Sequence, residues 1–227
     1  LFDGIQSVIV CLIPWDTGMN EGRNVARYAV GRNYHDVAAE HLSVATEILK
    51  RAFPEETFKF FVDSSPVAEV RAAVLAGLGV RGKNNLLISK EYGTRCAIGE
   101  IITTRKFAKS KKSVGTCFDC GKCIKACPNG ALSDKGYEKE KCVAYINQMK
   151  KELTAEDEAL IKKGGFICGC DCCTDCCPMN RHADGTGLKE FKESAKPVYT
   201  PGMDLSDRSY GWKPANVERN YKIITED

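Results

Sequence analysis

The stretch Cys117-Phe-Asp-Cys120-Gly-Lys-Cys123-Ile-Lys-Ala-Cys127-Pro128 decides how this chain of 227 residues is read. Its spacing is C-x2-C-x2-C-x3-C-P. Three thiolates two residues apart fit a tight loop around one face of a 4Fe–4S cluster, and the fourth points away toward a second cluster. Zinc is the competing chemistry, but a zinc site closes on four ligands and needs no three-plus-one arrangement.

This run is of the bacterial ferredoxin type, and a second cluster requires a second set of sulfurs. Cys168, Cys170, Cys172, Cys173, Cys176 and Cys177 offer more than are needed. Cys170-x2-Cys173-x3-Cys177-Pro178 repeats the C-x2-C-x3-C-P ending, and Cys142 completes the count at eight. The expected register places Cys117, Cys120, Cys123 and Cys177 on one cluster and Cys127, Cys142, Cys170 and Cys173 on the other. Each run lends its last cysteine across the pair. Cys168, Cys172 and Cys176 are left to line the cluster pocket or to replace a ligand in another register. Cys11 and Cys96 read as small buried hydrophobes in strands.

Eleven of the thirteen cysteines lie between Cys117 and Cys177, whereas a disulfide scaffold spreads them through a small secreted chain. Hydrophobic residues at 43% and charged residues at 28% give a soluble globular profile. No apolar run approaches the ~20 residues that span a bilayer; the longest, Val8 to Trp15, has the length of a buried strand. No export signal opens the chain, although it starts at Leu1 rather than Met, so residues ahead of Leu1 are expected. These features predict a cytoplasmic, oxygen-poor setting and no membrane partner. The net charge of +3 argues neither for nor against nucleic acid, and the basic run Arg105, Lys106, Lys109, Lys111, Lys112 reads first as a solvated linker and second as a patch for an anionic partner.

Ahead of the cysteines the pattern is α/β. Ser7–Ile13 and Thr57–Val62 are predicted strands, and Asp36–Phe53 has helical spacing at Val37, His41, Leu42, Ala45, Ile48 and Leu49. A helix is predicted from Pro66, capped by Ser64 or Ser65 and ending at Gly77/Gly79, followed by a loop over Gly79–Asn85 and strands at Leu86–Ser89 and Ala97–Thr103. Beyond Lys106, helices are predicted over Glu138–Leu153 and Glu156–Lys163, the latter with Thr154 and Asp157 in capping-box spacing. Domains of 1–110 and 111–182 are expected, with 183–227 as an extended wrapping tail poor in apolar anchors. Asp63 stands at the C-terminal end of a strand before a helix, where ligands collect in open α/β sheets. Burial there favours the protonated form that a general acid needs, and the plain alternative is a helix cap.

Four stretches of the first half carry a resemblance. They are Tyr28-Ala-Val-Gly31-Arg-Asn33-Tyr34-His35, Phe61-Val-Asp63-Ser-Ser-Pro66-Val-Ala-Glu69, Gly77-Leu-Gly79-Val-Arg-Gly82-Lys83-Asn84 and Gly99-Glu100-Ile101-Ile102-Thr103. In this order, ahead of the paired cysteine runs, they resemble the cobalamin-dependent epoxyqueuosine reductases, relatives of the reductive dehalogenases. The resemblance implies an α+β chain: an α/β-type cobalamin-binding domain with a mixed sheet, joined to a bacterial-type two-cluster ferredoxin-like domain. It implies that electrons pass through two 4Fe–4S clusters to a cobalamin that reduces an epoxide or similar electrophile. Asp63 takes the family's proton-donor role; Tyr34, His35, Lys83 and Asn84 are cofactor-pocket or substrate-pocket residues, Lys83 being equally at home in solvent; Glu100 reads as structural.

An external electron donor such as a ferredoxin or flavodoxin is implied, with a small-molecule or modified-nucleoside substrate. The family's C-terminal helical-repeat region, which helps hold tRNA, has no counterpart in the fifty residues after Cys177, so tRNA is the weaker expectation. Asn33 replaces the family's Asp, and Arg95-Cys96-Ala97 replaces its aromatic residues. The alternatives are a two-cluster ferredoxin-type carrier without cobalamin, or a protein delivering electrons to a partner's cofactor.

Overall fold

The structure, a computed structural model, describes residues 2–19, 22–111, 115, 117–183, 185–193, 196, 198–205 and 211–226. Lys112 of the basic run lies outside them. Strands β1 (Ser7–Pro14), β2 (Phe58–Val62) and β5 (Cys96–Thr103) form one sheet in the order β1-β5-β2, while β3 (Val80–Arg81) and β4 (Leu87–Ile88) form a separate hairpin. Both pairings in the main sheet are antiparallel, with Cys11 opposite Gly99 and Val62 opposite the same Gly99. The expected mixed sheet is thus corrected: β1 and β2 run the same way but never touch. The β3–β4 hairpin also corrects the loop expected over Gly79–Asn85, because Val80 pairs with Ile88 around a turn in which Asn85 adopts φ 67°.

The sheet is covered on both faces, as the β-branched, near-continuous apolar strand β5 requires. Helix α1 (Tyr34–Ala52) buries Val37, Ala38 and Leu42 on one face. Gly99 permits its close approach, since a Cβ there would meet Leu42 Cδ1 at 2.5 Å. Helix α2 (Glu69–Leu75) buries Ala73 against Leu87 and Ile98 on the other. It starts three residues later than expected and has no side-chain cap. Ser65 instead closes a local turn, its Oγ accepting the Val67 N–H at 2.9 Å.

After α3 (Lys122–Ala126) come a small ribbon, β6 (Leu132–Ser133) and β7 (Gly136–Tyr137), then α4 (Val143–Ile146), α5 (Ala155–Gly164) and α6 (Cys172–Asp175). The long helix expected over Glu138–Leu153 is not formed. Cys142 is extended (φ −78°, ψ 120°) between a 3-10 turn and α4, and the Asn147 amide donates to the Phe166 and Gly169 carbonyls instead of facing solvent from a helix. Helix α5 carries the full reciprocal capping box between Thr154 and Asp157.

The final segment departs from a bare extended tail. It contains α7 (Lys189–Lys192) and the twelve-residue α8 (Pro214–Thr225). Phe191 is fully buried beside Ile13 and Val37, while Tyr199, Trp212 and Val217 pack on Val25, Val30 and Ile167. The two halves are joined by ion pairs of Arg23 with buried Asp171 at 2.5 Å and of Arg27 with Asp175 at 2.7 Å, while Asp16 and Arg95 form a buried pair at 2.9 Å within the first half. Breaking one such pair leaves a stranded charge. Among the described residues no helix is long and apolar enough to cross a membrane.

Candidate metal centres and the adjoining cavity

The C-x2-C-x2-C loop is wound by two left-handed residues, Asp119 (φ 55°) and Gly121 (φ 66°), the second opening α3. This curls Cys117, Cys120 and Cys123 around a small hollow that Cys177 and Pro178 close from the other run. Cys123 lies within electrostatic reach of Cys117 and Cys177, and Cys177 within reach of Cys117 and Cys120. Cys127, Cys142, Cys170 and Cys173 line a second, larger cavity. Cys173 is within reach of Cys127 and Cys142, and also of Cys123, so the two sets adjoin. The Cys127 sulfur accepts the Ala131 N–H at 3.2 Å. Among the described residues no three Cys, His, Asp or Glu side chains converge as one metal ion would need.

The three spare cysteines separate. Cys168 is buried in the hydrophobic core with Val25 and Trp212 and lines neither hollow, which corrects its expected place. Cys172 lines the larger cavity beside Cys170, and Cys176 lies within reach of Cys120, Cys123 and Cys177. Cys11 and Cys96 are on strands as expected but only partly buried, and Cys96 lines the cavity.

That cavity has a volume of about 370 Å³. Its remaining wall is Trp15, Tyr28, Tyr34, Asp63, Glu69 and Asn84, with apolar side chains of α2, β4 and β5. Asp63 is held in the left-handed region (φ 56°), a conformation that costs a non-glycine residue about 1–3 kcal/mol and recurs where side chains are aimed for chemistry. Its carboxylate accepts a short hydrogen bond from the Tyr34 hydroxyl and meets His35 Nε2 at 2.7 Å. His35 Nδ1 is 2.9 Å from the Asn33 side-chain oxygen, which also accepts the His35 N–H and caps α1.

Both ring nitrogens thus face oxygens, and only the imidazolium satisfies both. The Asp63 bond accordingly raises the His35 pKa. At Asp63 burial pushes upward, but the bonds from His35 and Tyr34 prevail and hold the carboxyl below its ordinary value. The expected protonated Asp63 is therefore corrected: the proton resides on His35, one hydrogen bond away.

Lys83 is also corrected as a cavity residue. Its ammonium bonds Asp119 and Asp134 at 2.7 Å each, beside the hollow of Cys117. Asn84 lines both hollows, is 6% exposed, and its Nδ2 has no hydrogen-bond partner. Sequence reasoning missed Trp15, Tyr28 and Glu69; Tyr28 and Glu69 lay inside quoted motifs, but nothing in a lone tyrosine or helix-start glutamate signals a cavity wall.

Residues 1–64 match the family model of epoxyqueuosine reductase QueG, DUF1730, and residues 116–180 match the 4Fe-4S double cluster binding domain. The epoxyqueuosine reductase of Cyclobacterium marinum is 34% identical over 99% of this chain and 71% of its own length. This chain belongs to the epoxyqueuosine reductase family. Another member, from Listeria monocytogenes, is 32% identical over 99% of this chain. An epoxyqueuosine reductase solved with a tRNA-Tyr epoxyqueuosine-modified tRNA stem loop superposes with a TM-score of 0.81 at 26% identity, covering 96% of this chain and 63% of that one. The chain spans 65% of the Listeria relative and 59% of that from Gloeobacter violaceus. Arg95 is held by buried Asp16, and Asn33 caps α1.

Proposed function

We propose that this epoxyqueuosine reductase family member is an iron–sulfur oxidoreductase that reduces an epoxide-type electrophile by two electrons. In this reading Cys117, Cys120, Cys123 and Cys177 hold one 4Fe–4S cluster and Cys127, Cys142, Cys170 and Cys173 the other. Residues 1–110 form the substrate-facing domain and 111–182 the cluster domain. The observation that carries the reading is the continuity of the second sulfur set with the cavity walled by Asp63 and Tyr34. The substrate is a modified nucleoside, the class named for the related reductase solved with its stem loop.

Electrons enter at the first cluster, where Cys120 and the 65% exposed Phe118 face solvent, from a one-electron donor such as a ferredoxin or flavodoxin in an oxygen-poor cytoplasm. The cavity also suits a corrin. Its walls are mostly apolar, with Trp15, Tyr28 and Tyr34 among them, and the unpartnered Asn84 Nδ2 is a donor for a peripheral carboxamide. A corrin there would supply a strongly reducing cobalt. Tyr34 and His35 position Asp63, and the His35–Asp63 pair delivers a proton to the leaving oxygen.

The test is anaerobic reconstitution with iron, sulfide and cob(II)alamin, followed by desalting. The reading expects about eight iron and eight sulfide per chain, retained corrin absorbance, and loss of turnover in Asp63→Ala with both clusters kept. About four iron, or stoichiometric zinc, overturns the cluster assignment; corrin that washes through leaves a two-cluster carrier.

A further inference from the structure

Reducing an epoxide consumes two electrons and two protons, whether the ring opens to an alcohol or loses its oxygen as water to leave an alkene. The His35–Asp63 pair holds one transferable proton. A second must come from elsewhere, and on the central strand of the sheet one buried group is unexplained by packing.

Glu100 lies on β5 opposite Val10 and Phe61, is 0% exposed, and neither of its carboxyl oxygens has a hydrogen-bond partner. Glu69, at the start of α2, lines the cavity and has its own buried, unpartnered Oε2. We propose that Glu100 and Glu69 are a buried proton store that recharges the His35–Asp63 pair and supplies the second proton of the reduction. The inference rests on the reading of this site as reductive.

The groups that act on this store come from every neighbouring element. The loop after β2 brings Asp63 and Ser65, and α1 brings His35. On β2, Lys59 is exposed over the Phe61 ring, and Arg71 of α2 is exposed; β1 contributes only Val10 opposite. An ionised Asp63 beside two further carboxyls cannot tolerate all three charges. Burial pushes Glu69 and Glu100 each up to about 7; at Glu100 the nearby Ser65 hydroxyl opposes this by more than Asp63 adds, and at Glu69 Asp63 and Glu100 add to it while His35 opposes. Each therefore holds its proton near neutral pH and releases it when Asp63 draws on it. Glu69 touches the cavity; Glu100, acting through Glu69 and Asp63, is a positioning residue.

The test compares the reconstituted wild type with Glu100→Gln, Glu69→Gln and Glu100→Asp. Infrared difference spectra across the neutral range should show a protonated carboxyl stretch that titrates in the wild type and is lost stepwise in the Gln variants. Turnover of Glu100→Gln should fall about tenfold or more in kcat at unchanged KM, with a larger solvent deuterium isotope effect and an alkaline limb moved to lower pH; Glu100→Asp should restore part of it. A Glu100→Gln enzyme with unaltered pH profile and isotope effect overturns the proposal, even if its rate drops. So does the absence of a titrating carboxyl band. If the wild type itself does not turn over, the reductive reading falls, whereas the infrared band alone still decides whether the store exists.

Discussion

His35 faces Asp63 with Nε2 2.7 Å from the carboxylate, and this contact reverses the ordinary balance of both groups. His35 is raised above 6.5 and Asp63 lowered below 3.8. The stability owed to His35 is complete below pH 6.5 and is lost as pH rises through its raised value. That owed to Asp63 is present above pH 3.8 and is lost as pH falls through its lowered value. Both side chains are partly exposed, so the pair is worth about 0–1 kcal/mol. His35→Gln should remove its share of the alkaline decline in a chemical-denaturation series, leaving that of Glu69 and Glu100, while lowering turnover.

Asp63→Ala removes the carboxylate of the pair proposed to deliver the proton. Turnover is expected to fall by ~10²–10⁴, with iron and sulfide content unchanged, as checked by metal analysis on the same sample.

Asn33→Asp keeps an acceptor for the His35 N–H and replaces a neutral oxygen at Nδ1 with a charged one. The His35 pKa should rise further, read by the imidazole proton shifts in an NMR titration. Asn33→Ala should cost about 1 kcal/mol through loss of the α1 cap.

Asn84→Leu takes away an amide donor that borders both sulfur sets. In the proposed reading that donor serves a corrin carboxamide, so cob(II)alamin should be retained less well after desalting, read by its absorbance, with iron and sulfide content unchanged.

Glu100 gives a pH signature of opposite sense to Asp63. Its folded value of about 7 against 4.5 means that stability declines as pH rises between those values. Glu100→Gln should therefore stabilise the fold at pH 8, by about 3 kcal/mol at most, and change little near pH 4.

Much of this was legible in the residues. Cysteine spacing at 117–127 and 170–177 predicts which sulfurs stand together, because ligand loops are short and local. The capping box at Thr154 and the strand at 7–13 are local too. The rest depends on distant partners. Cys142 breaks its helix because Asn147 bonds to residues 166 and 169, and the tail is anchored by Phe191, Tyr199, Trp212 and Val217, too widely spaced to show a period. Trp212, whose Nε1 donates to the Ala29 carbonyl at 2.7 Å, should cost about 3–5 kcal/mol when replaced by Ala. The Lys83 bridge to Asp119 and Asp134 likewise joins segments that no linear pattern connects.

The first hollow draws three sulfurs from residues 117–123 and its fourth from Cys177. During synthesis the early run leaves the ribosome well before its closing partner exists. On the proposed assignment three thiols stay open until that partner arrives, so neither cluster is completed on the first run alone. On the same assignment, oxidation of Cys177, a residue belonging by position to the second run, would open the first centre rather than the second.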